Sequence, residues 1–329
     1  MDNTPPMHKL ILSYLENELP RINAFLERET DKLDGSVRPP IQHVLAAGGK
    51  RIRPLLTLLA SRALGAQGDT PYPLACSLEM LHSATLLHDD ILDEAALRRG
   101  RKSAHIVYGP NVTILAGDVL LALANRLVAD YGEPRLTAIL SEAILRTATG
   151  EVKEIANVRN TDLTNDDYLD IITGKTAYLF QAACEAGAIV AGATPEQEQA
   201  AHNYGLYLGI AFQLVDDALD YVSPSDVSGK PSGGDLKEGK LTLPLIGYFD
   251  SLPDAERQQV LTKFRDNALT EDETAHILGE ITRLGLPQKT REAAERYANM
   301  AHDALSAFPE TPEREVLHSV LDYVLSREK

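Results

Sequence analysis

Leu81-His82-Ser83-Ala84-Thr85-Leu86-Leu87-His88-Asp89-Asp90-Ile91-Leu92-Asp93-Glu94 reads as an apolar helix that runs into a cluster of carboxylates. Residues four apart in a helix share a face, so Asp89 and Asp93 point the same way. Like charges at that spacing destabilise a helix by roughly 0.2–0.5 kcal/mol per pair, and burial raises the cost. The pattern recurs in Ala211-Phe212-Gln213-Leu214-Val215-Asp216-Asp217-Ala218-Leu219-Asp220-Tyr221, where Asp216 and Asp220 align. Two such faces in one chain call for a positive charge from elsewhere. Oxygen ligands in this arrangement suit a hard cation, Mg²⁺ above all.

The residues around both motifs make the chain all-α. Apolar positions recur every three or four residues, and alternating strand patterns are nearly absent. Helices are expected at Leu10–Glu29, Pro54–Leu64, Leu74–Glu94, Ala116–Tyr131, Leu136–Val158, Asn165–Ile172, Ala177–Ala193 and Glu196–Tyr221. A Gly/Pro/Ser/Lys loop is expected at Pro224–Gly239. Further helices follow at Leu243–Asp250, Ala255–Phe264, Glu271–Leu284, Gln288–Phe308 and Arg314–Arg327. No linker divides the 329 residues, so a single domain over 1–329 is expected, its helices facing each other across a cavity.

Composition excludes several classes. A net charge of −16 argues against nonspecific nucleic-acid binding. Cys76 and Cys184 lie in apolar surroundings without metal spacing, which fits buried thiols in a reducing cytoplasm. The N-terminus has no signal-peptide pattern. The uncharged runs Thr176–Cys184 and Ala186–Pro195 are too short to span a bilayer, so no transmembrane segment is expected.

Cations gather in glycine-containing breaks. Gly48-Gly49-Lys50-Arg51-Ile52-Arg53-Pro54 places three before a helix start, where backbone amides also favour phosphate. Arg98-Arg99-Gly100-Arg101-Lys102 follows the first acidic motif, and guanidinium forks match phosphate oxygens. Gly174-Lys175-Thr176, Gly229-Lys230 and Gly239-Lys240 add lysines, although Gly174-Lys175-Thr176 lacks the rest of a nucleotide P-loop. Taken alone, each cluster is an ordinary solvated loop. In combination they describe a Mg²⁺–diphosphate site, because carboxylates bind a diphosphate only through a metal while cations take the remaining oxygens. His82 lies two helical turns before Asp89 on the same face. Gln213 bears that relation to Asp217 and Asp220. No Ser/His/Asp set or activated thiol is visible.

The chain resembles the trans-isoprenyl diphosphate synthases, the polyprenyl synthetase family, and within it the bacterial long-chain octaprenyl and decaprenyl type. The resemblance rests on residues 48–54, 86–94 with 97–100, 174–176, 212–221 and 229–245, in family order. It implies an orthogonal helical bundle of isoprenoid-synthase type around a central cavity, commonly a homodimer. It implies that Asp89, Asp93 and Asp216 hold Mg²⁺, about three ions per site, with Asp217 and Asp220 as supporting ligands. Arg98, Lys175, Thr176, Gln213, Lys230 and, more weakly, Lys240 would contact the allylic diphosphate. Lys50, Arg53, His82 and Arg99 would hold isopentenyl diphosphate. Asp89, Asp93, Lys175 and Asp216 would be the catalytic core.

The implied reaction is loss of the allylic diphosphate, attack on the cation by the isopentenyl double bond, and removal of a proton by the released diphosphate. Small residues at Ala84 and Thr85, just before the first motif, fit a long product of roughly seven to ten isoprene units, a quinone side-chain precursor. The alternatives are a short-chain farnesyl or geranylgeranyl synthase, a class I terpene cyclase, which would leave the Lys50/Arg53 block without purpose, and a non-catalytic subunit of a heteromeric synthase.

Overall fold

The computed structural model describes residues 6–222 and 233–327. The protein is all-α, as the periodicity requires. In chain order the helices are α1 (Pro6–Thr30), α2 (Arg38–Ala46), α3 (Ile52–Ala63), α4 (Pro71–Leu92), α5 (Ala104–Tyr108), α6 (Pro110–Ala129), α7 (Pro134–Ala156), α8 (Asn165–Ile172), α9 (Tyr178–Val190), α10 (Pro195–Leu219), α11 (Gly234–Glu238), α12 (Leu243–Ser251), α13 (Asp254–Arg265), α14 (Glu271–Arg283), α15 (Leu286–Ala304) and α16 (Pro312–Leu325). A two-residue hairpin pairs β1 (Leu97–Arg98) with β2 (Arg101–Lys102), and a π-helical turn, Thr173–Ala177, joins α8 to α9.

Several features differ from the sequence expectation: α2, α5 and the hairpin were not expected, and α6 begins at Pro110 rather than Ala116. Gly234–Glu238 is a helix where a loop to Gly239 was expected; five residues are too few to show a period. The expected helix from Ala177 begins as the π turn, and the helix carrying the first motif ends at Leu92, one residue before Asp93. Asp93 still closes a helical hydrogen bond, its amide donating to the Asp89 carbonyl at 2.8 Å, so the two carboxylates keep their common face.

The described residues fall into two compact units. One lies within Met1–Ile144, Leu179–His202 and Leu305–Val320; the other lies within Leu145–Tyr178, Asn203–Ala304 and Leu321–Lys329. The first is built around α4 and α6. Ile22, Leu26, Ile41, Cys76, Met80, Ala84, Leu87, Ala116, Leu120 and Ala124 form its core. Small residues let the two helices approach. A Cβ on Gly117 of α6 would fall 2.3 Å from Nε2 of His88, the residue preceding the acidic motif. Helix α6 alone among the described residues is long and apolar enough to cross a bilayer by length and composition, and 44% of that stretch is buried inside the protein, as in a core helix; no clear transmembrane segment is present among the described residues.

In the second unit three backbones touch through glycine. A Cβ on Gly150 of α7 would lie 2.4 Å from the amide nitrogen of Lys175, and one on Gly209 of α10 would lie 2.5 Å from Cα of Ala177. The π turn is therefore held between α7 and α10. Helix α8 starts cleanly because Thr164 and Asp167 form a capping box.

Candidate active site

In the first unit the three aspartates of α4 do not share a task. Asp93 is exposed and Asp89 half-buried, on one face. Asp90 turns inward, is buried, and accepts from Nε of Arg98 at 2.7 Å, with Nη2 also in ion-pair contact. Arg98, an expected diphosphate contact, is thus fixed by the middle aspartate of the motif.

The Gly48–Arg53 loop and the hairpin bring cations together around His82. Arg51 has a left-handed backbone, with φ of 48°, which carries its side chain into the core. There Nη1 donates to Glu79 at 2.5 Å and Nη2 to the Leu45 carbonyl at 2.6 Å. Arg53 stacks over Phe180, 4.9 Å from the ring centroid, and its buried Nε has no hydrogen-bond partner. Arg99 lies against Gly49, where a Cβ would fall 2.4 Å from Nη1.

Burial, followed by the nearby Arg53, Arg99, Arg51 and Arg98, holds the His82 imidazole well below its usual range and therefore neutral. Burial also lowers Arg53 to about 10, against the opposing charge of Glu79. Arg53, Arg99 and His82 are thus brought together, with Lys50 exposed on the same loop. Glu79 and Asp90 each face one guanidinium of this cluster, which leaves it with a surplus of positive charge. Ala84 is fully buried in the core, while Thr85 is half-buried and donates to the His82 carbonyl at 2.8 Å.

The second unit holds a cavity of about 130 Å³ lined by Glu154, Tyr168, Lys175, Thr176, Gln213, Asp217, Asp235 and Lys240. The π turn aims adjacent side chains at different helices. Lys175 reaches back to Glu154 at 2.5 Å and Glu151 at 2.9 Å on α7, and Thr176 donates to Gln213 on α10 at 2.7 Å. Gln213 Nε2 donates to Asp217 at 2.7 Å, and the Tyr168 hydroxyl donates to the other Asp217 oxygen at 2.5 Å. Burial pushes Asp217 up to about 7, helped by Asp216 and Glu154.

The second motif divides its labour as the first does. Asp216 pairs with Arg327 at 2.5 Å, Asp217 points into the hydroxyl–amide chain, and Asp220 accepts from the amide of Asp235 at 3.1 Å. Lys240 lies 2.8 Å from Glu238 and 3.7 Å from Glu154. Lys230 lies outside the described residues.

Sequence reasoning missed Arg51, Glu79, Asp90, Glu151, Glu154, Tyr168, Asp235 and Arg327. Glu79 had a signal, as an isolated charge in an apolar helix. So did Glu151 and Glu154, a turn apart on α7. The partners of Tyr168 and Arg327 are too distant in sequence to be read.

Among the described residues no three His, Cys, Asp or Glu side chains converge into a preformed metal cage. That does not argue against Mg²⁺, which is commonly held by one or two carboxylates together with substrate phosphates. The exposed Asp89/Asp93 face, with its hard oxygen donors, fits such an ion.

The polyprenyl synthetase family model matches residues 35–281. The octaprenyl diphosphate synthase of Escherichia coli is 38% identical over 291 residues, covering 87% of this chain and 88% of that protein. The crystal structure of a decaprenyl diphosphate synthase from Rhodobacter capsulatus matches with a TM-score of 0.91 and 37% identity, over 98% of this chain and 100% of that one. A polyprenyl synthase from Caulobacter crescentus, complexed with calcium and isoprenyl diphosphate, matches with a TM-score of 0.91 and 36% identity, over 98% of both chains.

Proposed function

We propose, from the premise that this chain belongs to the polyprenyl synthetase family, that it joins isopentenyl diphosphate to an allylic diphosphate and releases a long all-trans polyprenyl diphosphate. It is a prenyl diphosphate synthase and hence a transferase. The observation that carries the substrate reading is the surplus of guanidinium charge around neutral His82, on the unit that also carries the Asp89/Asp93 face. A diphosphate that must stay attached during the reaction is best held by cations alone. One that must leave is best held where a metal can draw off its charge. Lys50, Arg53, His82 and Arg99 serve the first purpose.

Asp89 and Asp93, with Asp216, Asp217 and Asp220, would hold Mg²⁺, about three ions, which supplies charge neutralisation to a departing diphosphate. Arg98 and Lys175 are kept in place for the allylic diphosphate by Asp90 and by Glu151 with Glu154. Thr176 and Gln213 extend that contact, with Lys230 and Lys240 completing it. The reaction requires apolar walls around the allylic cation, so that water cannot quench it. The family match spans residues 35–281 and takes in residues of both units, which supports treating the chain as one functional domain. Two free buried thiols fit the cytoplasm. The exposed Val112, Ile114 and Leu115 on α6 fit a homodimer face.

Long products are supported by the octaprenyl and decaprenyl relatives and by Ala84 and Thr85. The test is chromatography of products made by the purified chain alone from farnesyl and isopentenyl diphosphates with Mg²⁺. Products of about C35–C50 are expected, with Ala84→Phe shortening them by crowding the tail's path. A product that stops at about C20 in the wild type would refute the long-chain reading, and inactivity without a second protein would refute autonomous catalysis.

A further inference from the structure

Arg159 follows α7 with a left-handed backbone, φ 59°, uncommon for a residue other than glycine. It makes three hydrogen bonds to carbonyls outside its own loop. Its amide donates to Gly239 at 2.8 Å, Nη2 to Lys237 at 2.9 Å, and Nη1 to Phe264 at 2.9 Å. Its guanidinium also stacks over the Phe264 ring, 5.5 Å from the centroid.

These acceptors have a local logic. Helix α11 ends in a Schellman turn: the Lys240 amide donates to Asp235 at 2.9 Å, the Gly239 amide donates to Leu236 at 3.2 Å, and Gly239 has φ of 82°. The turn satisfies the carbonyls of Asp235 and Leu236, two of the four at the helix end, and leaves that of Lys237 without a donor from within the helix. Arg159 supplies the missing donor from another segment and sets a cation at the negative end of the helix. The fit is close, since a Cβ on Gly239 would fall 2.6 Å from Cγ of Arg159. The next residue is Lys240, whose ammonium faces Glu154, the carboxylate that also holds Lys175.

We infer that Arg159 is a positioning residue of the allylic-diphosphate site, completing the end of α11 and so fixing where Lys240 presents its charge. This rests on the reading of Lys240 as a contact for that diphosphate. Arg159 touches backbone carbonyls rather than substrate, and its influence is exerted through Lys240.

The test is steady-state kinetics on the full chain, varying each substrate separately, for Arg159→Gly, Arg159→Lys and Lys240→Ala. Glycine keeps the left-handed backbone and removes the fork; lysine keeps the charge and removes the fork. Both Arg159 variants should raise the KM for the allylic substrate about tenfold, leave that for isopentenyl diphosphate unchanged, and lower kcat less than they raise KM. If Arg159→Gly fails to fold, Gly239→Ala, which presses on the same contact from the turn, is read by the same kinetics. An allylic KM within about twofold of wild type, or an equal rise in both KM values, overturns the inference while a raised KM in Lys240→Ala keeps the site reading. An unchanged allylic KM in Lys240→Ala overturns the assignment of Lys240 and the inference with it.

Discussion

Replacing Glu79 by alanine tests the cationic cluster at its anchor. The Arg51 and Glu79 side chains are 6% and 5% exposed and lie 2.5 Å apart. Glu79 also opposes the charges of Arg53 and Arg99. Its removal leaves Arg51 buried without a counter-charge, and breaking a buried pair in this way costs about 3–5 kcal/mol. Removing both charges, as Arg51→Met with Glu79→Leu, should cost much less. Its main loss is the bond to the Leu45 carbonyl, about 1 kcal/mol. The assay is urea unfolding of the wild type, the Glu79→Ala variant and the double variant, with and without inorganic diphosphate. The anion should restore part of the Glu79→Ala loss, because a ligand at a hundred times its Kd adds about 2.7 kcal/mol to the folded state. A Glu79→Ala loss below about 1 kcal/mol, or a double variant as unstable as the single, would refute the electrostatic account.

Gly117→Ala should push His88 off the Ile114 carbonyl it meets at 3.0 Å and shift the adjacent Asp89, costing about 1–3 kcal/mol and raising the Mg²⁺ concentration needed for half-maximal activity. Adding His88→Ala should recover much of that shift, and a Mg²⁺ requirement unchanged by Gly117→Ala would count against the packing argument. The His82 imidazole, held well below 6.5 by burial and its neighbouring guanidiniums, stays neutral in the fold while the unfolded chain takes up a proton. Its contribution is therefore present above about pH 6.5 and lost as pH falls below it. The pH slope of stability should be flatter in His82→Gln, and equal slopes would contradict the assignment.

The sequence carried the helices where amphipathic runs are long or ends are chemically marked. Asn165–Ile172 was legible to the residue because Thr164 and Asp167 cap it. The hairpin at Leu97–Lys102 and helices α5 and α11 are too short to show a period. Within the site, motif spacing identified Asp89 and Asp93 as one face and aligned His82 with it, while the grouping of Lys50, Arg53 and Arg99 with His82 came from the family resemblance. It did not show that Asp90 and Asp217 turn inward, since that depends on where Arg98 and Tyr168 arrive in three dimensions. Nor could it show Lys175 and Lys240 converging on Glu154, which requires three separate segments to meet.

The π turn at Thr173–Ala177 has a consequence for what the gene can tolerate. Such a turn holds one residue more than the α-turn it replaces. Deleting a single codon there would give a more regular helix, with better hydrogen-bond geometry and no loss of apolar content. It would leave the following helix close to its present rotation, because the longer π turn and the shorter α-turn advance by nearly the same angle, but it would re-aim the side chains within the turn. Lys175 and Thr176 could no longer divide their contacts between Glu154 and Gln213. At this position a one-residue deletion is expected to keep the helical path while misdirecting the Lys175 ammonium, so the π turn ties the aim of that charge to a single residue of chain length.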